Sequence, residues 1–217
     1  MQVAMFDVKI PDYTIDEERI NAVTHGIGAG FSIAALVLME VRAKTALGHV
    51  TAALFGAALI ITYVMSCVYH AVPSRYEGKK VLRVLDHCNV FLLVFGTYIP
   101  ATLISVGGAL GWVLFGIVAF VTLTGIALSL VDVDRFAVLE VICHLVNGWS
   151  ILIGLPQLLK NAGPVGVGYM LLGGIFYTLG AILYGVGSRV KYIHSVFHVF
   201  CLLGSAAHFW AIYRYVL

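Results

Sequence analysis

The chain has 217 residues, of which 61% are hydrophobic and only 11% charged, and its mean hydropathy is +0.98; a soluble domain is about 25% charged, so a water-soluble globular protein is excluded. A formal net charge of +2, with no basic run interleaved with aromatics, argues against nucleic acid as a partner. The four cysteines (Cys67, Cys88, Cys143 and Cys201) lie in or at the ends of apolar stretches without CxxC spacing, which indicates neither a disulfide framework nor a thiolate metal site.

Residues 1–21 read as a short N-terminal segment. Asp7, Asp12, Asp16, Glu17 and Glu18 leave no apolar core for a signal peptide. Within this segment Thr14, Ile15, Asp16 and Glu17 fit a capping box that starts a helix. Glu18, Asn21 and His25 then fall on one helical face, as a lid or as an outer contact to a site on that side. Seven apolar segments follow, near 22–42, 49–71, 86–106, 110–130, 138–159, 165–187 and 193–214. Each is long enough to cross a bilayer, at roughly 20 residues. In lipid such segments are helices, because a helix satisfies its own backbone hydrogen bonds. The expected fold is therefore all-α and integral to the membrane, one seven-helix domain over residues 1–217. Gly26, Gly28 and Gly30 suit ordinary close packing of helices. The only long connection, 72–85, reads as an amphipathic surface stretch.

Lys and Arg set the expected orientation. With the N-terminus inside, the inner segments hold Lys9, Arg19, Arg75, Lys79, Lys80, Arg83, Arg135, Arg189 and Lys191. The outer ones hold only Arg42, Lys44, Lys160 and Arg214. The positive-inside rule then puts the N-terminus in the cytoplasm and the C-terminus outside. This polarity is opposite to that of a rhodopsin-like receptor.

The same topology gathers the ionisable residues that are expensive in a membrane and so mark function. His70 closes the second segment, Asp86 opens the third, and His194 and His198 open the seventh. All four fall at the cytoplasmic side. Residues four apart on a helix face the same way, so His194 and His198 can share one ion. With His70 they supply three imidazoles, which suit a zinc ion and leave one tetrahedral position for water. A zinc-bound water has a pKa of about 7 and is a nucleophile at neutral pH. Asp86 suits a general base that positions this water, though direct ligation stays open. Ser66, one turn before His70, faces the same way and suits a bond to the water or to a substrate carbonyl; alone, it would more often bond the carbonyl four residues back.

Other polar residues read more plainly. His208 lies ten residues beyond His198, about 15 Å farther along the helix, and is too deep to ligate the same ion. His144 and Asn147 suit packing or proton relay, and His87 and Asn89 flank Asp86. His49, Glu40 and Arg42 read as interfacial residues at the outer side. Asp132, Asp134 and Arg135 read as a solvated inner loop.

The stretches E18-xx-N21-xxx-H25, S66-xxx-H70 with Asp86 beyond it, and H194-xxx-H198 are similar to the three motifs of the progestin and adipoQ receptor family. The closing stretch H194-SVF-H198-VFCLLGSAA-H208-F resembles its bacterial hemolysin III branch. The resemblance runs from about residue 17 to the end. It implies a seven-helix fold with a cytoplasmic-side zinc on His70, His194 and His198, and a water held by Asp86. It also implies a multi-pass protein of the bacterial inner membrane, related to the alkaline ceramidase superfamily of membrane amide hydrolases. The expected activity is hydrolysis of a lipid amide or ester within the bilayer, with catalysis by Asp86 and Ser66. The expected partners are membrane lipids and an acyl-chain substrate, with no protein partner. The alternative is a non-enzymatic sensor of membrane lipid state with structural zinc. A cytolytic, pore-forming protein is a third reading, weakened by the resident polytopic character of the chain.

Overall fold

In the computed structural model, which describes residues 8–187 and 190–217, helix α1 (Ile15–Arg42) starts at the capping box. The Thr14 hydroxyl accepts the Glu17 N–H at 3.3 Å, and the Glu17 carboxylate accepts the Thr14 N–H at 2.9 Å. Two N-terminal amides are thus satisfied reciprocally. The helix therefore begins at Ile15, earlier than the expected span start at residue 22. Helix α2 (Ala46–Ala71) is capped by Thr45, whose hydroxyl accepts the Gly48 N–H at 2.9 Å.

Helix α3 (Gly78–Pro100) continues as a π-helix over Ala101–Val106. Pro100 withdraws a backbone donor where the regular ladder gives way. Gly107 and Gly108, at φ 67° and 56°, turn the chain into α4 (Gly108–Asp132). The start of α3 corrects the reading of 72–85 as a surface stretch. Residues from Gly78 onward are helical, and Lys79 and Arg83 are buried.

The fifth crossing is not the single helix expected over 138–159. It is α5 (Ala137–Trp149), a 3-10 turn (Ser150–Gly154) and α6 (Leu155–Asn161). Pro156 has no N–H to return to the chain, which favours a break just before it. The Tyr98 hydroxyl repairs the break, accepting the Ile151 N–H at 2.9 Å and donating to Gly148 O at 2.8 Å. Helices α7 (Gly163–Gly187) and α8 (Ile193–Tyr215) complete the bundle.

Seven of the described helical stretches are long and apolar enough to span a membrane. The third is the central one: 67% of its apolar window is buried, against 28% for the first and fourth. Val41, Phe120, Leu123 and Val131 stand exposed on the outer faces, as lipid-facing residues do. Met39, Phe55, Leu59, Tyr63 and Phe209 form a core between α1, α2 and α8. Of the three glycines near the start of α1, Gly28 sits in tight contact. A Cβ there would meet the Tyr63 ring at 2.7 Å, whereas one at Gly30 would meet nothing within 4 Å. Asp7 and Arg189, used in the charge reading, lie outside the described residues.

Candidate metal centre

Helices α2 and α8 bring His70, His194 and His198 together, one ring nitrogen from each lying within 4.8 Å of the others. All three are buried. Ring centroids are 4.7 Å apart for His194 and His198, and 4.9 Å for His70 and His198. His194 Nε2 and His198 Nε2 face one another at 3.1 Å.

The outer nitrogens explain how the rings are held. His70 Nδ1 lies 2.6 Å from the Glu18 carboxylate, which as an ionised group only accepts. In the neutral ring this bond puts the hydrogen on Nδ1 and leaves the Nε2 lone pair free. His70 Nε2 is buried without a protein partner among the described residues. His198 Nδ1 is 3.4 Å from the Thr24 hydroxyl. Converging imidazole lone pairs of this kind, oriented from behind by a carboxylate, fit a divalent ion that favours nitrogen ligands. The triad could hold a metal.

The face of α1 read from the sequence meets this cluster. Besides its bond to His70, Glu18 accepts from Lys79 Nζ at 2.5 Å. Lys79 also donates to Val72 O at 2.7 Å and lies over the Tyr69 ring. Asn21 accepts from the Ser195 hydroxyl at 2.6 Å, tying α1 to α8 beside His194. His25 stacks on His198, with centroids 3.6 Å apart and planes at 8°.

Ser66, Asp86, His194 and His198 line one cavity of about 660 Å³. Its lining is chiefly apolar. The polar neighbours of Asp86 are His70, His87, Ser66 and Arg83. Asp86 is not part of the tight ligand group among the described residues. Ser66 makes no bond to the carbonyl one turn back, unlike Thr97, which bonds Leu93 O at 2.9 Å. The remaining polar residues sit elsewhere. His49 pairs with Glu40 at 2.8 Å, and Asn147 donates to Thr122 at 3.2 Å. His208 and His144 line the cavity. All four cysteines are free.

Several neighbours of the triad escaped the sequence reading or were misplaced by it. A strap of residues 8–14 crosses the histidine end of the bundle. Val8 is buried with Val84, Cys88 and Val133, and the Lys9 N–H donates to Asp134 at 3.0 Å. Asp134 also pairs with Arg83 at 2.8 Å, so it is engaged rather than solvated. Burial raises the Asp134 pKa, but the Arg83 hydrogen bond and the Lys9 amide outweigh this and hold it below the usual carboxylate value. The Tyr13 ring stacks on His194 at 4.9 Å. Burial, reinforced by Tyr184 and Glu18, pushes its phenol well above the ordinary value and keeps it neutral. Tyr192, at φ 62°, donates its N–H to Glu17 at 2.8 Å and so fixes the start of α8. Glu140, buried on α5, holds His87 at 3.2 Å and Ser129 at 2.8 Å. A lone Glu in an apolar helix was the signal that could have found it.

The family described as haemolysin-III related matches residues 13–209. Hemolysin-3 of Bacillus cereus is 34% identical, over 94% of this chain and 93% of that protein. The Hemolysin-3 homolog of Bacillus subtilis is 35% identical, over 94% of this chain and 96% of its own. The human monocyte to macrophage differentiation factor is similar at 22% identity, over 94% of this chain and 86% of that protein. With seven apolar helices and this match over most of its length, the chain is a multi-pass membrane protein that belongs to the haemolysin-III related family.

Proposed function

We propose that the protein is a zinc-dependent hydrolase of a lipid amide or ester, acting from within the plasma membrane of a bacterium. The observation that carries this reading is the opening of two triad imidazoles, with Asp86 and Ser66, onto one largely apolar cavity of about 660 Å³. A purely structural metal site needs no such chamber. Ligand sites are typically clefts of roughly 300–1,000 Å³ with a few convergent polar groups.

His70, His194 and His198 would hold the ion, and Glu18 keeps His70 in the ligating tautomer. Zinc supplies Lewis-acid polarisation of a carbonyl and acidification of water. The protein's own residues do the rest. A carboxylate oxygen of Asp86 accepts the proton of the attacking water and returns it to the leaving nitrogen or oxygen as the acyl C–N or C–O bond breaks. The Ser66 hydroxyl donates to the substrate carbonyl oxygen. The apolar wall holds the acyl chain, and the strap with Tyr13 limits access of bulk water.

The test is release of free fatty acid, followed by mass spectrometry, from a ceramide and acyl-ester panel in lipid nanodiscs. Wild type should turn over at least one class. Asp86→Asn should not, while retaining its zinc. Equal release by wild type, Asp86→Asn and His198→Ala would show that the activity is foreign to this site. No release by zinc-loaded wild type would favour a non-enzymatic sensor of membrane lipid.

A further inference from the structure

Away from the triad, the polar side chains on the cavity wall are mostly bonded to the protein itself. Tyr98 is engaged at the α5 break, and the Tyr177 hydroxyl meets Ser205 at 2.8 Å. Thr97 bonds Leu93 O, and Trp149 donates to Thr178 at 3.1 Å. Two imidazoles differ. His144 and His208 line the cavity, and neither has a hydrogen-bond partner among the described residues. His144 Nδ1 is fully buried in that condition. Buried polar groups are ordinarily bonded, and each exception calls for a reason.

Neither ring is loosely placed. The His208 ring lies against Gly173, where a Cβ would come within 2.6 Å of Nε2, and it stacks on Tyr177 at 5.4 Å. Gly173 thus makes room for that imidazole. His144 stacks on Phe91 at 3.8 Å. Both lie beyond the metal site. Phe91 is five residues past Asp86 on α3, about 7.5 Å, and His208 is ten residues past His198 on α8, about 15 Å.

The geometry points to a ligand with a second hydrogen-bonding oxygen within its apolar part: a lipid whose acyl chain carries a mid-chain hydroxyl or keto group. Its polar end lies at the triad, and the chain oxygen meets His208 or His144. This deepens the lipid reading of the cavity and rests on it. A neutral imidazole offers one donor and one acceptor, so a hydroxyl suits either nitrogen. A plain chain would leave both rings unbonded in apolar surroundings. A site built to bond a hydroxyl discriminates against the analogue lacking it far more strongly than an apolar pocket discriminates by size.

The experiment reads binding, not turnover. Full-length protein in nanodiscs is loaded with a fluorescent fatty acid, and ricinoleate and oleate, which differ only by a mid-chain hydroxyl, compete for it. Ricinoleate should displace the probe at about tenfold lower concentration or less. His208→Leu or His144→Phe should bring the two competitors together while oleate still binds. His208→Gln, which keeps a donor and an acceptor, should retain part of the preference. Equal competition in wild type overturns the inference, as does a preference that survives in both apolar variants. Failure of both lipids to compete overturns it together with the lipid reading of the cavity. Selective binding without any fatty acid release supports it and counts against hydrolysis alone.

Discussion

The Glu18 carboxylate accepts the Nδ1 hydrogen of His70 at 2.6 Å, so a residue of the first helix leaves Nε2 as the nitrogen that His70 on the second turns toward His198 and His194. Carboxylates behind a ligating histidine orient the ring and raise its basicity. Glu18→Gln should therefore weaken zinc binding about 10–100-fold, read by chelator competition. An unchanged affinity would mean that packing alone orients His70.

Purified protein should carry about one zinc per chain, the ion that three imidazoles suit. His70→Ala, His194→Ala and His198→Ala should each lose most of it by elemental analysis. His208→Ala should keep it. Full occupancy in all three ligand variants would remove the metal centre from this position.

Lys79 is buried with its charge on Glu18, whereas Lys80 pairs with an exposed Glu77. Removing one partner of a buried pair leaves the other charge uncompensated, at about 3–5 kcal/mol. An exposed pair contributes about 1 kcal/mol or less. Lys79→Met should thus lower the denaturation midpoint in detergent far more than Lys80→Met. Matching midpoints would show that Glu18 finds other compensation.

Charge bias predicts that the histidine end faces the cytoplasm. Single cysteines at Glu77 and Lys44, both exposed, lie at opposite ends of α2 and its flanking turns. After removal of the four native cysteines, an impermeant thiol reagent on intact cells should label position 44 and spare 77. The opposite pattern would invert the topology.

Asp134 has a depressed pKa in the folded protein through Arg83 and Lys9. Its contribution to stability is present above the unfolded value of about 3.9 and is lost as pH falls through the folded value. The strap should therefore loosen at acid pH, read as protease cleavage near residue 9. Asp134→Asn should cleave readily at neutral pH too. Cleavage that is insensitive to both pH and the variant would show that Val8 alone holds the strap.

Periodicity, length and hydropathy carried the helical architecture, because lipid leaves an apolar segment no other way to satisfy its backbone. The capping box at Thr14 was legible for the same local reason. The 3-10 break at Ser150 was missed although Pro156 signals it, and its repair by Tyr98 reaching across from α3 depends on a contact that no local pattern shows. Lys79 misled, since a lysine between charged neighbours looks solvated until its distant partner is known. The meeting of His70 with His194 and His198 could be anticipated from topology, because all three fall at helix ends on one side. The strap over His194 could not be, because Val8 and Lys9 make their contacts with residues more than seventy positions away.

The Glu18–Lys79 pair also bears on how the chain is assembled during synthesis. A lysine buried in protein at the first turn of α3 is costly until something neutralises it. Its partner is on α1, which leaves the ribosome earlier, as does His70 on α2. The third helix is therefore best accommodated after the first two are already paired, with Glu18 waiting between them. The carboxylate that bonds His70 in the folded protein is thus also the charge that Lys79 meets when the third helix docks.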